Sequence, residues 1–71
     1  MQDLLAKRLK HARKAANLTQ EKAAVKTGVC RDIITRWERG LFVPMPYSLL
    51  WLSKAYGVTV DWLCGLEEPN G

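Results

Sequence analysis

The chain has 71 residues, of which 48% are hydrophobic, so it can form one small domain with a core and is not a wholly disordered chain. Its net charge of +4 is unevenly distributed: residues 1–40 hold ten basic and four acidic residues, whereas residues 41–71 hold one basic and three acidic residues. No stretch approaches the roughly 18 apolar residues of a membrane span, and the start lacks the apolar run of a secretory signal. The composition predicts a cytoplasmic protein without a membrane partner, in which the basic half would bind a polyanion.

The first predicted helix covers about residues 3–16, and Asp3 can cap it. Small and apolar residues share one face at helical spacing, namely Leu5, Leu9, Ala12 and Ala16. Another face carries Lys7, Lys10 and Lys14. The lysine face is either a solvated surface or a surface that contacts DNA, and the pattern leaves both interpretations open.

Two short helices are predicted next, over about residues 20–27 and 31–39. Thr19 is a good N-cap for the first of them, because its hydroxyl can accept a hydrogen bond from a free backbone amide. The cap position of the second falls on Cys30, a poor capping residue. Ile34 and Trp37 are predicted to face inward, and the polar residues of the same helix lie mainly on its other side: Arg31, Asp32, Thr35, Arg36 and Arg39.

The remaining residues predict an apolar loop and two further helices. The loop covers residues 41–45, and Pro46 fits the first turn of a helix over residues 46–56. The inward face of that helix is predicted to be Leu49, Leu52, Ser53 and Tyr56. A short helix over residues 60–64 follows, capped by Thr59. The predicted domain comprises residues 1–65, and residues 66–71 form a C-terminal tail.

Residues 20–37, QEKAAVKTGVCRDIITRW, have the pattern of a helix-turn-helix. The two helices cross closely, which requires a small residue at Ala24. The turn requires a residue that tolerates positive φ, and Gly28 meets this requirement. Thr27 is the weakest part of the pattern, since an aliphatic side chain would bury better there.

The chain resembles the Cro and phage-repressor type of helix-turn-helix domain over about residues 4–65. The segments that carry the resemblance are LAKRLKHARKAANLTQ, TGVCRDIITRWERG, the following Pro44, and GVTVDWLCG. The resemblance implies an all-α fold, a compact, lambda-repressor-like domain of five helices. It also implies a double-stranded DNA operator as partner, a homodimer on that DNA, and a bacterial or phage-encoded protein associated with the nucleoid.

The resemblance implies DNA-contacting roles for seven residues. Phosphate contacts fall to Thr19, Gln20 and Arg39, and base contacts in the major groove fall to Arg31, Asp32, Ile33 and Arg36. Either arginine can donate two parallel hydrogen bonds to guanine O6 and N7.

Three of these residues have other interpretations, which stay open. Asp32 can accept from a cytosine amine or simply favour the helix start. Ile33 can contact a thymine methyl or lie partly buried beside Cys30. Arg39 can bind phosphate or favour the negative end of its helix.

The resemblance also implies a structural salt bridge between Arg13 and Glu38 and a dimer interface around Trp51, Val60, Asp61 and Trp62. This sequence departs from the family in two places. The loop after the third helix carries Leu41, Phe42 and Val43 where relatives often carry a basic residue. Trp51 occupies an outward position that is commonly polar, where it would anchor a dimer or fold back onto Leu41 or Phe42.

Catalytic, metal and cofactor sites are not indicated. His11 has no evident carboxylate partner, and Cys30 and Cys64 lack metal-ligand spacing and are predicted to be free thiols. The sequence therefore favours a transcriptional regulator, a repressor without a small-molecule substrate. An antitoxin-like protein-interaction module on the same scaffold is the alternative. Oxidation of Cys30, which would block DNA, is a further hypothesis.

Overall fold

The computed structural model describes residues 2–66, apart from the side chains of Gln2 and Asp3, and this part of the chain is all-helical. Its five helices are α1 (Gln2–Ala15), α2 (Gln20–Thr27), α3 (Arg31–Glu38), α4 (Pro46–Tyr56) and α5 (Val60–Leu63). The predicted five-helix, all-α fold is confirmed. None of these helices is long and apolar enough to cross a membrane.

The helix boundaries lie within a residue or so of the predicted ones, with one correction at the N-terminus. Helix α1 begins at Gln2, so Asp3 lies within its first turn and not at the N-cap position. The interpretation of Asp3 as an N-cap is wrong. Of the predicted tail, only Leu66 belongs to the described residues, and residues 67–71 lie outside them.

The core lies where α1, α3, α4 and α5 meet. Leu9, Ile34, Leu52 and Leu63 are its fully buried large side chains, one from each of these helices. Helix α2 packs on α3 and α4 through Ala23, which is completely buried. The predicted inward residues of α3 and α4 are all buried, namely Ile34, Trp37, Leu49, Leu52, Ser53 and Tyr56.

Short helices need defined ends, because backbone groups in the first and last turns have no partner within the helix. The Thr19 hydroxyl accepts from the Lys22 amide at 3.1 Å and the Thr59 hydroxyl from the Trp62 amide at 3.0 Å, as predicted. Helix α1 ends through Asn17, which has φ of 60°. Asn17 was not predicted as the end of α1, although asparagine is tolerated in the left-handed region.

Candidate nucleic-acid interface

The turn between α2 and α3 is fixed by backbone geometry and one hydroxyl. Gly28 has φ of 77° and donates from its amide to the Ala24 carbonyl at 2.9 Å. The Thr27 hydroxyl donates to the Ala23 carbonyl at 2.7 Å and accepts from the Val29 amide at 3.2 Å. Thr27 is therefore not a weak substitute for an aliphatic residue, because its hydroxyl satisfies a turn amide.

Helix α3 buries one side and exposes the other. Ile34 and Trp37 are 1% and 7% exposed, which fixes the helix on the core. Of the side chains predicted to meet bases, Arg31, Asp32 and Arg36 are exposed, whereas Ile33 is half-buried and packs against the core. The structure thus brings three of the four predicted residues to the exposed surface of the helix, and Ile33 lies at the edge of the core.

Both exposed arginines of α3 form surface ion pairs. Arg31 Nη1 lies 3.4 Å from Glu21 Oε2 of α2, and Arg36 Nε lies 3.1 Å from Asp32 Oδ2, one helical turn earlier. An aspartate four residues before an arginine is a favourable order on a helix. The guanidinium of Arg36 also lies over the ring of Phe42, at 5.2 Å from the ring centroid.

The side chain of Gln20 joins α2 to α3. Its Nε2 donates to Glu38 Oε1 at 3.2 Å, and its Oε1 accepts from the Thr35 hydroxyl at 3.1 Å. Its second N–H has no hydrogen-bond partner among the described residues and can donate to a ligand such as phosphate. Thr19 precedes Gln20, and its hydroxyl oxygen is used as a cap while its proton is available to an acceptor.

Arg13 and Glu38 form a buried, two-bonded ion pair between α1 and α3. Arg13 Nε donates to Glu38 Oε2 at 2.7 Å and Nη2 donates to Oε1 at 3.0 Å, with side chains only 8% and 4% exposed. The third nitrogen, Nη1, donates to the Leu18 carbonyl at 2.8 Å. The hydrogen bond to Glu38 raises the pKa of Arg13 above its ordinary value, so the guanidinium stays charged.

Arg39 and Cys30 lie at opposite ends of α3, and both are exposed. Arg39 is the last residue before Gly40, and its amide donates to the Thr35 carbonyl at 3.0 Å. Cys30 precedes the helix and makes no side-chain capping bond, as its chemistry predicts. Both Cys30 and Cys64 are free thiols.

The residues predicted for a dimer interface lie in two different environments. Trp51 on α4 is 49% exposed and makes an edge-to-face contact with Tyr47 at 5.3 Å between ring centroids. Trp62 on α5 is half-buried against α1, where Arg8 lies 4.8 Å from its ring centroid and donates to its carbonyl. Val60 is half-buried and Asp61 is exposed.

The loop after α3 exposes apolar side chains, which we call the apolar loop: Leu41, Phe42, Val43 and Met45, between 46% and 62% exposed. Pro44 between them is buried. The sequence pattern predicts the loop but not the contact of Phe42 with Arg36, because no local spacing rule predicts a contact across a helix end. The Asp32–Arg36 pair did have a signal, the i, i+4 spacing of opposite charges.

Comparison with known proteins gives a consistent assignment. The helix-turn-helix family HTH_3 matches residues 9–63. The HTH-type transcriptional regulator ImmR of Bacillus subtilis (strain 168) is 41% identical over 66 residues, covering 93% of this chain and 52% of ImmR. The HTH-type transcriptional activator BcrR of Enterococcus faecalis is 41% identical over 61 residues, covering 86% of this chain and 30% of BcrR. The chain thus spans about half, or less, of the length of these curated relatives.

A solved structure supports the fold. The crystal structure of an HTH_3 family transcriptional regulator from Vibrio cholerae superposes with a TM-score of 0.80 at 23% identity, covering 90% of this chain and 36% of that one. The helix-turn-helix predicted from residues 20–37 lies inside the family match, which extends over most of the 71 residues. The chain therefore belongs to the HTH_3 helix-turn-helix family.

Proposed function

We propose that this chain is the DNA-binding domain of a transcriptional regulator and that α3 reads a short operator in the major groove. The observation that carries the proposal is the division of α3, which anchors Ile34 and Trp37 in the core and turns Arg31 and Arg36 outward. A major groove admits one helix and displays a distinct set of donors and acceptors for each base pair. The names of the relatives, which are transcriptional regulators, support the same function.

The base contacts we propose follow from the exposed chemistry of α3. Arg31 and Arg36 each bind guanine O6 and N7, and Asp32 accepts from a cytosine amine or orients Arg36, with which it is already paired. Ile33 is half-buried, so only the outer part of its side chain meets a thymine methyl.

The phosphate contacts we propose flank α3. Thr19 and Gln20 each retain one free N–H or O–H donor at the start of α2, and Arg39 is exposed at the end of α3. Contacts of this type fix the position of a domain on the duplex and carry no sequence information directly.

We further propose that two copies bind a palindromic operator and repress by occupying it. One copy reads few base pairs, and two recognition helices about 34 Å apart match one duplex turn. Trp51, half exposed beside Tyr47, supplies an aromatic anchor of the kind that interfaces use, with Val60, Asp61 and Trp62 as the other proposed contacts.

The test is a selection on random duplex DNA followed by titration of the enriched sequence. We expect a palindrome with half-sites about one turn apart. Arg36→Ala should lose affinity for that sequence by about tenfold to a hundredfold, equivalent to one good bidentate contact, with an unchanged fold. Lys54→Ala is the matched control, because it removes one exposed positive charge from α4. Unchanged operator affinity in Arg36→Ala would disprove the assigned readout.

A protein-interaction module is the second candidate, and the apolar loop with Trp51 favours it. The apolar loop and the exposed pair Tyr47–Trp51 each offer apolar surface of the kind that marks an interaction site. Sedimentation of the pure protein separates the candidates: self-association that Trp51→Ser weakens supports the homodimer. A monomer that fails to enrich any DNA sequence supports a module with another protein partner.

A further inference from the structure

Arg36 is held on two sides by neighbouring side chains. Its Nε bonds Asp32 Oδ2 at 3.1 Å, and its guanidinium carbon lies 5.2 Å from the centroid of the Phe42 ring. The ion pair engages Nε, which leaves the two terminal nitrogens for other acceptors. A guanidinium over an aromatic face is attracted by the negative face of the ring. The Asp32 carboxylate and the Phe42 ring together fix the direction in which the two terminal nitrogens of Arg36 point.

The backbone that ends α3 brings Phe42 to this place. Gly40, with φ of 75°, donates to the Trp37 carbonyl at 3.2 Å, and Leu41 donates to the Arg36 carbonyl at 2.9 Å. These two bonds are the pattern of a Schellman motif, which reverses the chain after a helix. The reversal returns Phe42 to the Arg36 side chain. The carbonyl of Arg36 thus accepts a hydrogen bond from the Leu41 amide, while its guanidinium is covered by the Phe42 ring.

Phe42 does not belong to the buried core, because its side chain is 46% exposed. The contact that the structure gives its ring is with the guanidinium of Arg36, which is itself exposed.

We infer that Phe42 is a positioning residue that aims the Arg36 guanidinium at one base pair, and so determines specificity from outside α3. The inference rests on the proposed function, because it assigns Arg36 to base readout. Phe42 does not itself contact a base in this scheme. Asp32 bonds the Nε edge of the guanidinium and the Phe42 ring covers a face of it, while a base approaches the terminal nitrogens.

The experiment compares Phe42→Leu with Phe42→Tyr on the operator enriched by the wild-type protein and on operators changed at one base pair each. Loss of the ring face should reduce discrimination by about two- to fivefold at the base pair read by Arg36, and at no other base pair. Phe42→Tyr keeps the ring face and should retain the wild-type discrimination. Binding to unrelated DNA and the salt dependence of binding should not change in either variant.

Two further variants separate positioning from general stability. Leu41→Ala alters the neighbouring exposed apolar residue, 62% exposed, and should leave discrimination unchanged. The double variant Phe42→Leu with Arg36→Ala should bind the operator as Arg36→Ala alone does, because no guanidinium is left to aim. If Phe42→Leu does not fold, as judged by circular dichroism, Phe42→Met provides a second ring-free side chain.

The possible results separate failure of this inference from failure of the proposed function on which it rests. If the wild-type protein enriches no sequence, the proposed function fails and the inference fails with it. If the wild-type protein enriches an operator that depends on Arg36, but Phe42→Leu discriminates as wild type does, only the inference is overturned. An equal loss at every base pair, or a full additive loss in the double variant, would also overturn it.

Discussion

The ion pair of Arg13 with Glu38 is buried, whereas the ion pairs that Arg31 and Arg36 form lie at the surface. This difference in burial determines how much each pair contributes to stability. Two charges removed from water need several hydrogen bonds to offset their lost hydration. Glu38 receives three, two from Arg13 and one from Gln20. The exposed pairs keep most of their hydration and contribute little to stability.

We expect Glu38→Gln to lower the free energy of unfolding by about 3 kcal/mol, because it leaves the charge of Arg13 buried without a counter-ion. Urea denaturation measures the change. Glu21→Gln, which removes the partner of an exposed arginine, is the control and should cost less than about 0.5 kcal/mol. Equal effects of the two substitutions would contradict the role assigned to burial.

Tyr56 supplies a prediction about alkaline pH. Its hydroxyl is buried without a hydrogen-bond partner among the described residues, and burial, with the nearby charge of Glu38, raises the pKa of Tyr56 to about 12. Its ordinary pKa is about 10, so the unfolded chain loses the tyrosine proton first. The stability linked to Tyr56 is complete below pH 10 and is lost as the pH rises toward 12, by roughly 2–3 kcal/mol.

Tyr56→Phe isolates this contribution. The variant should be more stable than the wild-type protein already at neutral pH, because it removes a buried hydroxyl that has no hydrogen-bond partner among the described residues. Between pH 10 and 12 this difference should increase, since the variant has no tyrosine proton to lose. Denaturation midpoints at several pH values measure the difference, and parallel pH profiles would refute the explanation.

At the scale of elements, Thr19 caps α2 and is also proposed to bind a phosphate. Substitutions of this one residue can separate the two roles. Thr19→Ala removes the cap and should cost about 1 kcal/mol. Thr19→Asp keeps a capping oxygen and should preserve stability, yet its negative charge would repel a phosphate. We expect the aspartate variant to melt as the wild-type protein does and to bind DNA more weakly. Unchanged DNA affinity in Thr19→Asp would remove Thr19 from the phosphate contacts.

Local rules were sufficient to predict most of the elements. The Thr19 and Thr59 caps, the proline at the start of α4 and the inward faces of α3 and α4 all follow from spacing and side-chain chemistry, and the structure agrees with them. The start of α1 did not follow, because a helix can begin before its first good capping residue. The end of α1 was placed one residue late, since the residue in the left-handed conformation is Asn17 and not a glycine.

The contacts of the site were harder to predict from the sequence, because they join residues that are far apart in the chain. The bonds of Gln20 to Thr35 and Glu38 span 15 and 18 positions. Nothing in the spacing of these residues indicates them. The pairing of Arg31 with Glu21 likewise depends on how α2 crosses α3. The resemblance to a family supplied the Arg13–Glu38 pair, which residue chemistry alone did not single out.

At the scale of the whole molecule, positive charge is concentrated in residues 1–40. Each phosphate neutralised on duplex DNA contributes about −0.9 to the slope of log affinity against log salt concentration. We expect Arg39→Gln to reduce that slope by about 1 while leaving the enriched sequence unchanged. The control is Lys54→Gln, which removes the one basic residue of residues 41–71. It should change neither the salt slope nor the enriched sequence. A shift in the enriched sequence would instead assign Arg39 to base readout.

The side chain of Gln20 links the start of α2 to the middle and end of α3, and through Glu38 to α1. Three helices are therefore held in fixed register before any ligand arrives. Preorganisation of this kind removes most of the ordering entropy that an interface otherwise costs. If the domain binds duplex DNA as proposed, the heat-capacity change of binding should reflect only the surface buried against the duplex, without the larger change that accompanies coupled folding.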